Sequence, residues 1–122
     1  MILVDSSVWI DHFRQRNQQL STLLETGRVL SHPFVVGELA LGNLRQRGTV
    51  LELLQDLPQT KTANDNEVLE FVERNRIQGL GIGWVDAHLL AATRLAADAR
   101  LWTRDKRLAV VAERLSISAT VA

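Results

Sequence analysis

Four acidic residues in apolar surroundings are the side chains of this sequence best suited to carry chemistry. They are Asp5, Glu38, Asp86 and Asp105, and each lies in or directly after an apolar run. A carboxylate among apolar neighbours is costly unless a partner compensates its charge. Four carboxylates at one place would also repel each other, and their oxygens suit a hard cation such as Mg²⁺ or Mn²⁺. These residue types therefore predict a divalent-cation site, provided that the fold brings them together.

Short apolar stretches alternate with helical patterns along the chain, which predicts an α/β fold. Buried strands are expected at 1–4, 28–31 and 100–103, with a last strand near Ile117. Helices are predicted from about 8 to 13, around 20–24, and over 33–44, 49–55, 66–76, 84–97 and 105–115. Such alternation implies parallel strands joined by crossovers. We therefore expect one domain, 1–122, with a central parallel sheet of four or five strands and helices on both faces.

This topology would bring the four acidic residues to one edge of the sheet. Asp5 and Asp105 fall at the carboxyl ends of predicted strands, where parallel sheets carry their sites. Glu38 and Asp86 lie in early turns of predicted helices, and helical side chains tilt toward the helix N-terminus. All four carboxylates can therefore reach the same edge.

Each carboxylate also has a purely structural interpretation. Asp5 and Asp105 could cap the helices that follow them, and Asp86 could interact favourably with a helix N-terminus. Glu38 is harder to explain in this way, because it sits between Val36 and Leu39, on an expected core face, with no obvious partner nearby. The site interpretation is favoured because it accounts for all four at once.

Composition limits the class of protein. With 122 residues and a 46% apolar share, the chain can build an ordinary core. It has no cysteine, which excludes disulfides, thiol catalysis and thiolate metal sites. The formal net charge of zero excludes a strongly basic nucleic-acid binder but not a local basic patch. Because no apolar segment is long enough for a signal peptide or a membrane span, we expect a cytoplasmic protein that has no contact with a membrane.

Other residues with chemical potential do not form a competing site. The three histidines lack ligand spacing and are interpreted as surface or hydrogen-bonded residues. The three tryptophans are predicted to lie in the core rather than to stack on bases. The glycines at 79, 81 and 83 mark a loop without the context of a phosphate-binding motif. Ser6 and Ser7 have no base partner in sequence, which argues against a serine nucleophile.

The segments around the four acidic residues together resemble the PIN-domain nucleases, and more closely the VapC toxins of bacterial toxin–antitoxin pairs. These segments are Val4–Ile10, Gly37–Leu39, Trp84–Leu89 and Leu101–Asp105, in the family's order and approximate spacing. The resemblance implies that Asp5, Glu38, Asp86 and Asp105 form the metal site. It also implies that Thr103 is a catalytic hydroxyl residue and that Ser6 is the small polar residue after the first aspartate.

The activity implied by this resemblance is Mg²⁺-dependent, or Mn²⁺-dependent, endoribonuclease cleavage by a metal-activated water. The products would carry a 5′-phosphate and a 3′-hydroxyl, and the sequence leaves one or two metals open. Candidate contacts to the RNA are Ser6, Arg14, Arg16, Arg45, Arg47, Arg104 and Lys106. The implied partners are a VapB-type antitoxin and a second copy of the chain, through either 50–57 or the helix that contains Phe71.

A response-regulator receiver domain is the main alternative, because it shares this length, a doubly wound fold and an acidic Mg²⁺ pocket. A receiver has paired acids after its first strand and an acceptor aspartate after a middle strand, and this sequence shows neither. A PIN fold that only binds a partner is a third interpretation, which the intact acidic residues disfavour. Manganese-dependent RNA cleavage would separate the nuclease from both.

Overall fold

The sheet of this protein has three parallel strands with the first strand in the middle. In the computed structural model, which describes residues 1–120, the strands are β1 (Ile2–Val4), β2 (Val29–Leu30) and β3 (Arg100–Trp102). The strand order is β2-β1-β3. Leu3 is aligned with Leu30 on one side and with Leu101 on the other. The predicted α/β class and parallel sheet are confirmed.

Seven helices connect and flank these strands in the described part of the chain. They are α1 (Ser6–Arg14), α2 (Gln18–Glu25), α3 (Pro33–Leu41), α4 (Arg47–Asp56), α5 (Asp65–Asn75), α6 (Trp84–Leu95) and α7 (Lys106–Arg114). Each predicted helix is present, with ends that differ by a few residues. No helix within residues 1–120 has both the length and the apolar character that a membrane crossing requires.

The predicted number of strands, four or five, is wrong. Two further segments approach the sheet but each forms only a single parallel bridge, Ser31 with Gln59 and Leu101 with Ser118. Pro58 supplies a carbonyl to Ser31 but has no N–H with which to extend the ladder. Ser116 has a left-handed backbone, with φ of 61°, directly before the segment expected to form the last strand. Both segments are therefore too short to count as strands.

The central strand β1 is buried on both faces. Successive strand residues point to opposite faces, yet Leu3 and Val4 are both fully buried. The helices α1, α3 and α6 contribute Trp9, Leu39 and Leu89 to the same hydrophobic core, and each of these residues is 2% exposed or less. Because β1 ends directly at Asp5, this core also fixes the position of the first acidic residue.

Polar residues cap α3, which carries Glu38, and α5, which packs on the helix that carries Asp86. His32 Nδ1 accepts a hydrogen bond from the Phe34 N–H and caps α3, and Pro33 occupies its first turn. Asn64 and Glu67 form the reciprocal capping box of α5, on which α6 packs. These caps fix where α3 and α5 begin.

Substitution of Leu3 tests how strongly the fold depends on the central strand. We expect Leu3→Ala to lower the free energy of unfolding by about 2–5 kcal/mol, because it leaves a cavity at a fully buried site. Leu41→Ala, at a position 90% exposed, should change it by less than about 0.5 kcal/mol. Urea denaturation measures both, and equal effects of the two substitutions would contradict the assignment of β1 as the centre of the core.

Candidate metal centre

Asp5 is the most deeply buried of the four carboxylates and is anchored by two hydroxyl groups. It occupies the N-cap position of α1, but its side chain makes no capping hydrogen bond. Instead Asp5 Oδ2 accepts hydrogen bonds from Ser7 Oγ and Thr103 Oγ1, each at 2.7 Å. The interpretation of Asp5 as a simple helix cap is therefore wrong, because its carboxylate accepts from two side-chain hydroxyls and from no backbone N–H of α1.

The two hydroxyls are themselves oriented by backbone N–H groups. The Arg104 N–H donates to Ser7 Oγ at 3.0 Å, and the Asp105 N–H donates to Thr103 Oγ1 at 3.1 Å. Each hydroxyl has one proton, so accepting from the backbone leaves that proton for Asp5. Ser7 and Thr103 are 3.3 Å apart. The sequence alone does not identify Ser7, although the Asp-Ser-Ser run after an apolar strand is the signal that contains it.

Glu38 reaches toward Asp5 from the middle of α3. Its Oε1 accepts a hydrogen bond from Ser6 Oγ at 3.1 Å, so α1 and α3 are linked at this point. Glu38 is exposed, whereas the sequence predicts a core-facing position without a partner. The difference arises because α3 opens onto a groove at this residue. Ser6, predicted to contact RNA, here holds a carboxylate.

Asp86 and Asp105 both act at helix N-termini. Asp86 Oδ2 accepts from the Gly83 N–H at 3.1 Å, before the first turn of α6, and Asp105 Oδ1 accepts from the Leu108 N–H at 3.1 Å as the cap of α7. One oxygen of each residue therefore has the structural role that the sequence suggests, at the N-terminus of a helix. The second oxygen of each has no hydrogen-bond partner within residues 1–120 and is available to a ligand.

The four carboxylates, hereafter the acidic cluster, are close enough to affect each other's protonation. Glu38 is exposed as a residue, but its carboxyl group is partly buried, and this burial raises its pKa; the hydrogen bond from Ser6 opposes this, and the charges of Asp5 and Asp86 add to it. Burial likewise raises the pKa of Asp86; the Gly83 N–H opposes this, and the charges of Asp5 and Asp105 add to it. Glu38 and Asp86 thus each lie within electrostatic reach of two other members of the acidic cluster.

The oxygen atoms of the acidic cluster are suitable ligands for a hard divalent cation, but they are not arranged around a single position. In the described chain, no three His, Asp or Glu side chains are placed so that they could hold one ion as they stand. Repulsion and the separate hydrogen bonds explain this spacing, because each carboxylate is turned toward its own donor. The carboxylate oxygens suit Mg²⁺ or Mn²⁺, and small side-chain rotations would be needed to bring them onto it.

A groove of about 790 Å³ opens beside Glu38 between α1, α3 and α4. Apolar side chains such as Ile10, Phe13 and Val50 line it together with Arg14 and Arg45. Arg14 and Arg45 are predicted RNA contacts that share this cavity with Glu38, a member of the acidic cluster. The groove therefore combines an apolar floor, two cations and one carboxylate.

The other predicted RNA contacts are placed differently. Arg16 donates to Ser21 Oγ, Arg47 donates to the Gly42 carbonyl, and Arg104 pairs with Asp11 at 3.1 Å. These three arginines are therefore engaged within the chain. Lys106 lies in a second cavity, of about 310 Å³, with Leu80 and Arg107.

Two sequence interpretations of aromatic residues are only partly correct. Trp9 and Trp102 lie in the core, at 1% and 8% exposure, but Trp84 is 44% exposed. His32 and His88 are buried, so neither is a surface histidine. The Nε2 atom of His32 lacks a hydrogen-bond partner in the described residues, whereas His88 Nε2 lies 3.2 Å from Asp65 Oδ1. The cause is the packing of α3 against α6, which the sequence pattern does not specify.

The raised pKa values of Glu38 and Asp86 make the stability of the metal-free protein depend on pH. A carboxyl group with a raised pKa binds its proton more tightly in the folded chain than in the unfolded chain. The contribution of these two groups to the free energy of unfolding is therefore fully present below their ordinary pKa values, 4.5 for Glu38 and 3.8 for Asp86. It is lost as pH rises through the folded pKa values.

Excess Mg²⁺ should raise the melting temperature at neutral pH but not near pH 3.5, where both groups are protonated. Thermal scans at both pH values measure this, and an equal shift at both would contradict it.

Comparison with known proteins places this chain in a family. The sequence profile of the PIN domain matches residues 2–114, a span that contains the whole acidic cluster. Ribonuclease VapC32 of Mycobacterium tuberculosis strain CDC 1551 / Oshkosh is 51% identical over 108 residues, which cover 88% of this chain and 87% of that protein. The protein of the same name from strain ATCC 25618 / H37Rv matches equally well. The chain therefore belongs to the PIN-domain family, and within it to the VapC type.

Proposed function

We propose that this protein is a Mg²⁺-dependent endoribonuclease, active also with Mn²⁺, and the toxin of a VapBC-type toxin–antitoxin pair. Membership in the PIN-domain family and similarity to a ribonuclease of the VapC type support the reaction class. The observation that carries the assignment to particular residues is the acidic cluster, in which hydroxyl and backbone donors hold one oxygen of each carboxylate. The receiver-domain alternative loses its basis, because the family match covers nearly the whole chain.

The acidic cluster is proposed to hold the cation, with Asp5 as its most rigid member. Ser7 and Thr103 fix Asp5 Oδ2, which leaves Oδ1 directed to a ligand without reorganisation of the carboxylate. Glu38, Asp86 and Asp105 each keep one oxygen that is not hydrogen-bonded within the described chain. A bound divalent cation supplies charge neutralisation for a phosphodiester and a lowered pKa for a water. Thr103 acts here by positioning Asp5.

The groove beside Glu38 is the proposed site for the antitoxin, and its arginines are proposed contacts for RNA. A segment of a VapB-type antitoxin with apolar side chains would fit the floor formed by Ile10, Phe13 and Val50. Such a segment would cover Glu38 and block access to the acidic cluster. Arg14 and Arg45 would bind RNA phosphates in the free toxin. The proposed homodimer would use the exposed face of α4 or α5, where Leu53 and Leu69 are 43% and 56% exposed.

Removal of the Asp5 charge should separate stability from activity. We expect Asp5→Asn to lower kcat/KM for RNA cleavage by at least roughly a hundredfold, since bound cations contribute several kcal/mol of charge stabilisation. The same change should raise the melting temperature of the metal-free protein, because it relieves repulsion on Glu38 and Asp86. Cleavage assays with Mn²⁺ and with excess chelator measure the first effect. A chelator-resistant wild type, or an Asp5→Asn variant with full activity, would refute the metal-dependent mechanism.

Ser7 is expected to matter for activity through Asp5. Ser7→Ala removes one of the two hydroxyls on Asp5 Oδ2 and should weaken Mg²⁺ affinity or cleavage by roughly 10- to 100-fold. Ser21→Ala is the matched control, because Ser21 lies on α2 and its hydroxyl contacts Arg16 outside the acidic cluster. Mg²⁺ titrations of activity measure both variants. Equal loss in the two variants would show that Ser7 has no particular role at the site.

Expression without a partner tests the toxin assignment. We expect growth arrest from the wild-type chain and relief by Asp86→Asn, because an unchecked ribonuclease degrades cellular RNA. Asp56→Asn, at an exposed acid that ends α4, should still arrest growth. Culture density after induction, with protein amounts compared by immunoblot, gives the result. Normal growth with high levels of the wild-type chain would contradict the toxin role.

A further inference from the structure

Three aromatic side chains form a surface that the proposed chemistry does not use. Phe34 and Trp84 each contact His88, with ring centroids 4.6 Å and 4.8 Å apart. His88 is buried, whereas Phe34 is 38% and Trp84 is 44% exposed. The exposed rings of Phe34 and Trp84 thus both pack against the buried ring of His88. We call Phe34, Trp84 and His88 the aromatic platform.

The exposed rings lie on the same two helices as two of the four carboxylates. Phe34 and Glu38 are four residues apart on α3, so they lie on the same face about one turn apart. Trp84 and Asp86 share the first turn of α6, although side chains two residues apart point to different faces of a helix. The Phe34–His88 contact joins these two helices, so the aromatic platform spans the elements that carry Glu38 and Asp86.

Buried groups hold the aromatic platform in place. The His32 ring packs against Phe34, with centroids 5.3 Å apart, while its Nδ1 caps α3. Burial, and secondarily the nearby His88, lower the pKa of His32 to about 4, so its ring is neutral at pH 7. His88 Nε2 lies 3.2 Å from Asp65 Oδ1 at the start of α5. Exposed rings fixed from beneath lose little entropy when a ligand covers them.

An unpaired cation lies on the other side of the loop that precedes Trp84. Gly81 has φ of +81°, and a Cβ built there would lie 2.8 Å from Arg107 Cδ and 2.9 Å from Arg107 Nη1. The absence of a side chain at Gly81 thus lets Arg107 pack against the loop three residues before Trp84. Arg107 is exposed and has no ion-pair partner within residues 1–120. Its guanidinium is available to a phosphate.

We propose that the aromatic platform binds an unpaired nucleobase of the RNA by stacking on Trp84, beside the phosphodiester at the acidic cluster. Arg107 would contact a phosphate of the same strand. This proposal rests on the proposed ribonuclease function. An RNA base fits better than a second protein copy because the rings lie on the helices that carry Glu38 and Asp86, and an exposed arginine packs against the loop before Trp84. Stacking on aromatic rings is a sequence-tolerant mode of binding single strands.

Binding of a short oligoadenylate to the uncleaving Asp5→Asn protein tests the aromatic platform directly. Adding Trp84→Ala should weaken binding by roughly five- to 150-fold, the effect of losing one base–aromatic stack. Trp84→Phe should retain most of the affinity. Leu95→Ala is the matched control, because Leu95 is 47% exposed at the other end of the same helix. An abasic oligomer of equal length should bind the Trp84→Ala and parent proteins equally.

Fluorescence and kinetics give two further readouts. Of the three tryptophans only Trp84 is exposed, so oligoadenylate should protect its emission from a soluble quencher. In the otherwise wild-type enzyme, Trp84→Ala should raise KM for RNA more than it lowers kcat.

Several results would overturn the proposal. Unchanged oligoadenylate affinity in the Trp84→Ala protein, while the wild type still cleaves RNA, would refute the aromatic platform and leave the ribonuclease function intact. A shift from dimer to monomer on light scattering, with RNA affinity unchanged, would assign the surface to a second copy. A wild-type protein that neither binds nor cleaves RNA would refute both the aromatic platform and the proposed function.

Discussion

The geometry of the acidic cluster depends on the hydrogen bonds that hold each of its four carboxylates in place. Asp86 experiences the charges of Asp5 and Asp105, and Glu38 experiences those of Asp5 and Asp86. These charges oppose the gathering of the four carboxylates, and the donors that hold them come from the starts of three helices, α1, α6 and α7, and from Thr103 directly after β3. A cation bound as proposed would remove this repulsion.

The sheet and two hydroxyl groups each fix a different part of Asp5. The buried strand β1 fixes the backbone of Asp5, and the Asp5 N–H continues the ladder to the Trp102 carbonyl at 2.9 Å. Ser7 and Thr103 then fix its carboxylate, each oriented by a backbone N–H at the end of β3. Asp86 and Asp105 each use one oxygen as a helix cap, and the other has no hydrogen-bond partner within residues 1–120. In the proposed metal site the same carboxylates would serve both helix capping and cation binding.

The sequence predicts the backbone of this arrangement better than its side-chain details. An apolar run that ends in an acid is enough to place Asp5 and Asp105 at strand ends, and helix patterns place Glu38 and Asp86 in reach of them. Ser7 and the exposure of Trp84 were not predictable in this way, because both depend on how close the helices approach the sheet and each other. The number of strands was overestimated because periodicity does not distinguish a single bridge from a ladder.

The most direct test of this account is a crystal structure with Mn²⁺, using the anomalous signal of the metal. The account predicts one or two anomalous peaks within the acidic cluster, with Asp5 as a ligand that has hardly moved and Glu38 or Asp86 rotated onto the ion. Absence of any peak at the acidic cluster, in crystals that bind Mn²⁺ elsewhere or remain metal-free at high Mn²⁺ concentration, would contradict the central claim.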